Sequence, residues 1–199
     1  MNNGETNYRR FLDGDDQGFV EIIKEYNDAL VLFINGYVHN IYVAEEIAQD
    51  VFFLLLIKKP KYSPKNSFKT WLFTIGRNQA LNALRKKEKY LSFYESRKHE
   101  VTKEEQSITN AYIVGQDNQM LHQAIQKLLP QYSEILYLAY FELLSVREIS
   151  LVTKKSVKQI SNLLYRAKAA LKEELAQAGY QFSSANSINI GRLVPQIVY

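Results

Sequence analysis

The chain has 199 residues and no cysteine, which excludes a disulfide framework, a thiolate zinc site and a cysteine nucleophile. With 46% hydrophobic and 23% charged residues it can build packed cores in one or two soluble domains. The net charge of +4 hides a sharp asymmetry: residues 1–57 hold 3 basic and 10 acidic side chains, whereas residues 58–89 hold 10 basic ones against Glu88 alone. An acidic block beside a basic one points to two partners of opposite electrostatic character, one of them a polyanion.

In chain order, Gly14-Asp15-Asp16 supplies capping acceptors for a long amphipathic helix, whose apolar face carries Phe19, Ile22, Ile23, Tyr26, Ala29, Leu30, Phe33, Ile34 and Tyr37. A second helix is expected from about Val43 to Lys58. Ala44, Ile47, Ala48, Val51, Phe52 and Leu55 would face inward, and Glu45, Glu46, Gln49 and Asp50 outward. Pro60 and Pro64 break the chain around Tyr62. A third helix then runs from near Ser67 through Trp71, Leu72, Ile75 and Leu84 to the Arg85-Lys86-Lys87 cluster. Periodicity fades between Glu88 and about Asn118, so residues 90–119 are expected to form a flexible linker between a domain over 1–89 and another over 120–178. The longest strictly apolar run, Val51 to Ile57, is far short of a membrane span, and the acidic first twenty residues do not read as a secretion signal. A cytoplasmic, all-α protein of two small domains is therefore the expectation.

The second domain has clear edges. Helices are expected over Leu121–Leu129, which ends at Pro130, over Tyr132–Phe141, over Val146–Leu151 behind a Ser145–Glu148 capping box, and from Ser156 to about Leu175, where Gly179 would end the run. The last two, joined by Val152-Thr153-Lys154-Lys155-Ser156, form a helix-turn-helix layout. Val157, Ile160, Leu164, Ala167 and Leu171 would pack inward. The outer face would offer Lys155, Ser156, Lys158, Gln159, Asn162, Tyr165 and Arg166 to DNA, with Gln and Asn suited to adenine edges and Lys and Arg to phosphate or guanine.

Ala44-Glu-Glu-Ile-Ala-Gln-Asp-Val-Phe52 resembles the "AEDLVQEVF" segment of extracytoplasmic-function sigma factors of bacterial RNA polymerase, in the sigma-70 family. Phe68 to Asn78 resembles the "F-x-T-W-L-x-x-I-A-x-N" segment, and Leu84-Arg85-Lys86 its "L-R-R" end. Leu128-Leu129-Pro130 with Leu144-Ser145 and Glu148-Ile149 is similar to "LP … LSYEEIA", and Tyr165-Arg166-Ala167-Lys168 with Leu171 to "HRARKAL". The resemblance spans roughly residues 8–175 in the family's order. Two departures stand out: Ile160-Ser161-Asn162-Leu163 replaces the usual "V-K-S-R", and Gly76 replaces an alanine.

The resemblance implies a first domain that binds core RNA polymerase through Glu45, Glu46, Gln49, Asp50 and Phe52. Adjacent Phe52 and Phe53 cannot share a helix face, so one of them serves the core and the other the polymerase. It also implies that Tyr62, Asn66, Lys69, Trp71, Arg77, Asn78, Asn82, Arg85 and Lys86 open and hold the minus-ten promoter element, and that the helix-turn-helix reads the minus-thirty-five element as duplex. An anti-sigma factor is an expected partner; no cofactor, metal or membrane insertion is. Residues 179–199 lie outside the resemblance and are expected to form a loosely ordered tail of unassigned role. An enzyme is not expected, since HExxH, GxSxG and Gly-rich phosphate loops are all absent. The alternatives are an autonomous helix-turn-helix repressor with a helical sensor domain, which would leave the basic 58–89 block unexplained, and a helical adaptor that binds only protein.

Overall fold

A computed structural model describes residues 3–91 and 116–178. The chain divides into two compact units, one up to Gln106 and one from Ser107. The expected linker lies mostly outside the described residues, as do Gly179 and the tail. Every element among the described residues is helical.

The first unit holds α1 (Asn3–Leu12), α2 (Asp16–Val38), α3 (Ile41–Lys58) and α4 (Phe68–Leu91). α2 packs against each of the other three. Its buried side chains include Ile22, Tyr26, Leu30, Phe33 and Ile34, close to the predicted stripe. Asp15 is its N-cap, accepting from the Gln17 amide at 3.0 Å. Asn40 caps α3 by accepting from Val43 at 2.9 Å, so the helix starts two residues earlier than its apolar pattern suggests. The helix α1 was not foreseen. It buries Gly4, Tyr8 and Phe11 at i, i+4, i+7, a face in which a glycine replaces a bulky residue because the Phe68 ring and the Tyr26 hydroxyl fill that space.

Two buried glycines set helix approaches and differ in what limits them. At Gly18 an added Cβ would collide with the backbone carbonyl of Asn7, which cannot move aside. At Gly76 it would come within 2.7 Å of Leu30 Cδ1, the tip of a side chain that can rotate. Gly18→Ala should therefore cost about 1–3 kcal/mol through overpacking. Gly76→Ala should stay within about 1 kcal/mol of wild type, because its gain in helix propensity offsets the displacement of Leu30. Thermal unfolding of the two variants measures the contrast.

The second unit holds α5 (Gln116–Gln126), α6 (Pro130–Leu136), a π-helical turn over Tyr137–Phe141, α7 (Val146–Thr153) and α8 (Val157–Gln177). α8 is the hub, packing on α5, α6 and α7. Pro130 opens α6, where a missing N–H costs nothing, and the buried Ser133 hydroxyl donates to the Ile125 carbonyl at 2.6 Å, tying α6 to the end of α5. The predicted single helix to Phe141 widens instead into the π turn, which stacks Tyr137 on Phe141 with ring centroids 5.0 Å apart. His122 lies against Phe141 at 4.3 Å.

Burial pushes the His122 imidazole down to about 4 from its ordinary 6.5. Unfolded chains take up a proton below pH 6.5 while the folded unit resists until about 4. The associated stability is thus present above that window and lost as pH falls through it. Hydrogen-exchange protection factors over residues 121–178, taken relative to the intrinsic rate at each pH, should fall between pH 6.5 and 4, and His122→Phe should flatten that response.

Candidate functional site

Three surfaces carry the predicted side chains. On α3, Ala44, Ile47, Ala48, Val51, Phe52 and Leu55 are buried as expected. Glu46, Gln49 and Asp50 are exposed on the other side, with Glu45 half-buried at their edge. Phe52, however, is only 5% exposed, whereas Phe53 is 62% exposed. The structure thus corrects the predicted polymerase surface: Phe52 follows Val51 and Leu55 into the core, and Phe53 is the aromatic on the outer face. Leu56 and Ile57 extend that face, giving an acidic half followed by an apolar one. Phe52→Ala should destabilise the unit by about 3–5 kcal/mol. Phe53→Ala should stay within about 0.5 kcal/mol of wild type in chemical denaturation.

The second surface is the loop after α3 together with the outer face of α4. Trp71, Asn78, Asn82 and Arg85 follow i, i+7, i+11, i+14 and so form one stripe, opposite the buried Leu72, Phe73, Gly76 and Ala80. Lys86 is exposed at its end. Lys69 and Arg77 fall on other sides of the helix, and both already have an interaction within the protein. Trp71 is half-buried, its indole packed against Tyr8, Tyr62 and Phe68 at 5.3, 5.4 and 5.4 Å. The indole is therefore only partly open to serve as a platform. The Tyr62 hydroxyl donates to the Asn66 carbonyl at 2.6 Å, which folds Ser63–Asn66 into an exposed bulge. Burial, and next the nearby Glu5 carboxylate, raises the pKa of that phenol. Ser67 ends the bulge by accepting from the Thr70 amide at 3.2 Å.

The third surface is the helix-turn-helix. Ser145 and Glu148 form the expected capping box of α7, with the Glu148 carboxylate accepting from the Ser145 amide at 2.9 Å. The turn is made by Lys154 at φ 57°, a left-handed residue that ends α7. Across it the Ser150 hydroxyl donates to the Lys155 carbonyl at 2.7 Å. Ile160, Ala167 and Leu171 pack inward as predicted and Leu164 partly so. Val157, expected inside, is 51% exposed, because the first residue of the helix projects past the packed surface. Ser156, Lys158, Gln159, Asn162, Tyr165 and Arg166 are all exposed, and Lys155 is half-buried beside them. One feature escaped sequence reading: Gln159 answers Ser156 in a second capping box, its Oε1 accepting from the Ser156 amide at 2.8 Å.

Among the described residues no cluster of His, Asp and Glu suits a metal ion, and no helix is long and apolar enough to cross a membrane.

The family description "Sigma-70 region 2" matches residues 22–90, and "Sigma-70, region 4" matches residues 118–171. The extracytoplasmic-function sigma factor SigW of Bacillus subtilis (strain 168) is 25% identical over 170 residues, covering 81% of this chain and 91% of its own. The chain is an extracytoplasmic-function sigma factor of the sigma-70 family. Such a sigma factor is a transcription initiation factor that directs polymerase to promoters. CarQ of Myxococcus xanthus is 29% identical over 145 residues, covering 70% of this sigma factor and 79% of CarQ. Among solved structures, CnrH in complex with the cytosolic domain of CnrY superposes with a TM-score of 0.63 at 18% identity, covering 90% of this chain and 100% of that one. RpoE of Bartonella quintana, in complex with the anti-sigma factor NepR, gives a TM-score of 0.64 at 21% identity, covering 79% and 96%. The match of region 2 to the first unit leaves the repressor alternative without a sensor domain.

Proposed function

We propose that α3 docks on core RNA polymerase through Glu46, Gln49, Asp50 and Phe53, with Glu45 at the margin. The α4 stripe then receives separated strands of the minus-ten element, and α8 reads the minus-thirty-five element as duplex. The observation that carries this reading is the opposition of two faces within the first unit. α3 turns carboxylates and bare apolar side chains outward, whereas α4 turns out an indole, two amides and a basic end. Carboxylates repel DNA and steer toward a basic protein surface. Amides and a partly open ring system suit unstacked bases, with Arg85, Lys86 and Lys65 neutralising phosphates.

In the second unit Lys155, Lys158 and Arg166 take over the phosphate contacts that the Ile160–Leu163 departure removes, and Asn162 faces base edges. On this reading the protein works in the cytoplasm, by binding rather than by catalysis. An anti-sigma factor that covers the α3 and α8 faces would silence it, in keeping with the complexes in which CnrH and RpoE are seen.

Reversing charge with Glu46→Lys and Asp50→Lys should abolish co-purification with core polymerase and run-off transcription from a dependent promoter. The helical circular-dichroism signal should not change, since both side chains are exposed. Full polymerase binding by the double variant would refute the docking surface.

A further inference from the structure

We propose that a cavity beside α8 is a seat for one backbone phosphate of the minus-thirty-five duplex. In it Gln131 would act as a contact from outside the helix-turn-helix, and Gln159 as a hydrogen-bond donor rather than as an adenine reader. The inference rests on the reading of α8 as the duplex-binding helix.

The cavity has a volume of about 300 Å³ and is lined by Gln131, Lys155, Gln159, Asn162, Leu163 and Arg166. It draws on three elements: Gln131 from the start of α6, Lys155 from the turn, and the rest from α8. The lining contains two cations, three primary amides and no carboxylate.

The capping box decides what Gln159 can offer. Its Oε1 is occupied by the Ser156 amide, while the Ser156 hydroxyl accepts from the Gln159 amide at 3.2 Å. The side-chain NH2, a donor, is left wholly uncommitted by the box. Recognising adenine through two hydrogen bonds would need the remaining lone pair of Oε1 as well as the NH2, so the cap leaves the NH2 as the group with its full capacity to offer. Lysine and arginine are donors only, and the amide of Gln131 can turn its NH2 inward, with Asn162 at the rim left to the base edges. A cavity edged by donors and positive charge is satisfied by a ligand rich in acceptor oxygens and carrying negative charge. A phosphodiester answers that description, and a base edge does not. Because Asn162 and Arg166 also belong to the exposed outer face of α8, a phosphate seated here would be continuous with the duplex lying on that face. Gln131 then holds the same phosphate from α6, which fixes the angle at which α8 enters the groove.

The test uses holoenzyme assembled from the full chain and core polymerase. The probes are promoter duplexes in which single phosphates across the minus-thirty-five region are replaced by uncharged methylphosphonates. One position should weaken wild-type binding by about tenfold, the loss of a hydrogen bond to a charged group. Gln131→Ala should weaken binding to unmodified DNA and add little at that one position, while its effect persists at every other. Gln131→Glu should lose more on unmodified DNA and recover on the methylphosphonate. Gln159→Glu keeps the capping acceptor but removes the donor, so it should leave thermal unfolding unchanged and still reduce binding. Arg166→Ala should flatten the slope of log K against log salt by about 0.9.

Wild-type binding by both Gln131 variants, with dependence on the minus-thirty-five sequence intact, would overturn the cavity assignment alone. Binding that ignores the minus-thirty-five sequence altogether would overturn the duplex reading and the cavity with it. Shifts of the Gln131 and Gln159 amide resonances with inorganic phosphate but not with the duplex would assign the cavity to a free anion and also overturn the proposal.

Discussion

The packing of α2 against all three of the other helices is the constraint on which the first unit depends. Gly76 meets Leu30 with no Cβ between them, so the two longest helices of that unit press together over Ile34, Leu72 and Phe73. Once one side of α4 is committed to this seam, helical geometry sends Trp71, Asn78, Asn82 and Arg85 outward along one line. The same central helix takes the apolar side of α3, leaving its carboxylates outside. Opposite chemical characters are thereby kept apart on one small body, so that the carboxylates of α3 and the cations at the end of α4 do not neutralise each other.

The periodic helices and their caps could be read from the residues, because spacing and capping chemistry are local. Asp15, Ser145 and Ser156 cap the helices expected of them. What sequence reading missed depends on partners distant in the chain. The helix α1 escaped notice because Gly4 is one of its core residues, and a hydrophobic pattern does not register a glycine. The choice between Phe52 and Phe53 was open because Val51 to Ile57 is apolar throughout. Only the position of α2 decides which side of such a run is buried. The second capping box was hidden for another reason: Gln159 sits where both a cap partner and a base reader would stand, and composition cannot separate the two roles.

The second unit trades differently between burial and polarity. It folds Ser133, His122, Glu134 and Glu142 into its interior, alongside Ile135, Leu136, Ile149 and Val152. Ser133 is satisfied by a backbone carbonyl, and His122 stays neutral among aromatic rings. Each arrangement meets the cost of burying a polar side chain, while the cations Lys158 and Arg166 of α8 stay at the surface.

The bulge that precedes α4 is anchored from the wrong side of the family boundary. Tyr8 donates to the Pro60 carbonyl at 2.7 Å, Lys59 lies 4.5 Å over the Phe11 ring, and Glu5 sits beside the Tyr62 hydroxyl. All three α1 anchors precede residue 22, where the match to region 2 begins. A chimera spliced at that boundary would transplant the loop before α4 without its moorings. Segment exchanges between relatives must therefore carry the leading helix along with the loop that it holds.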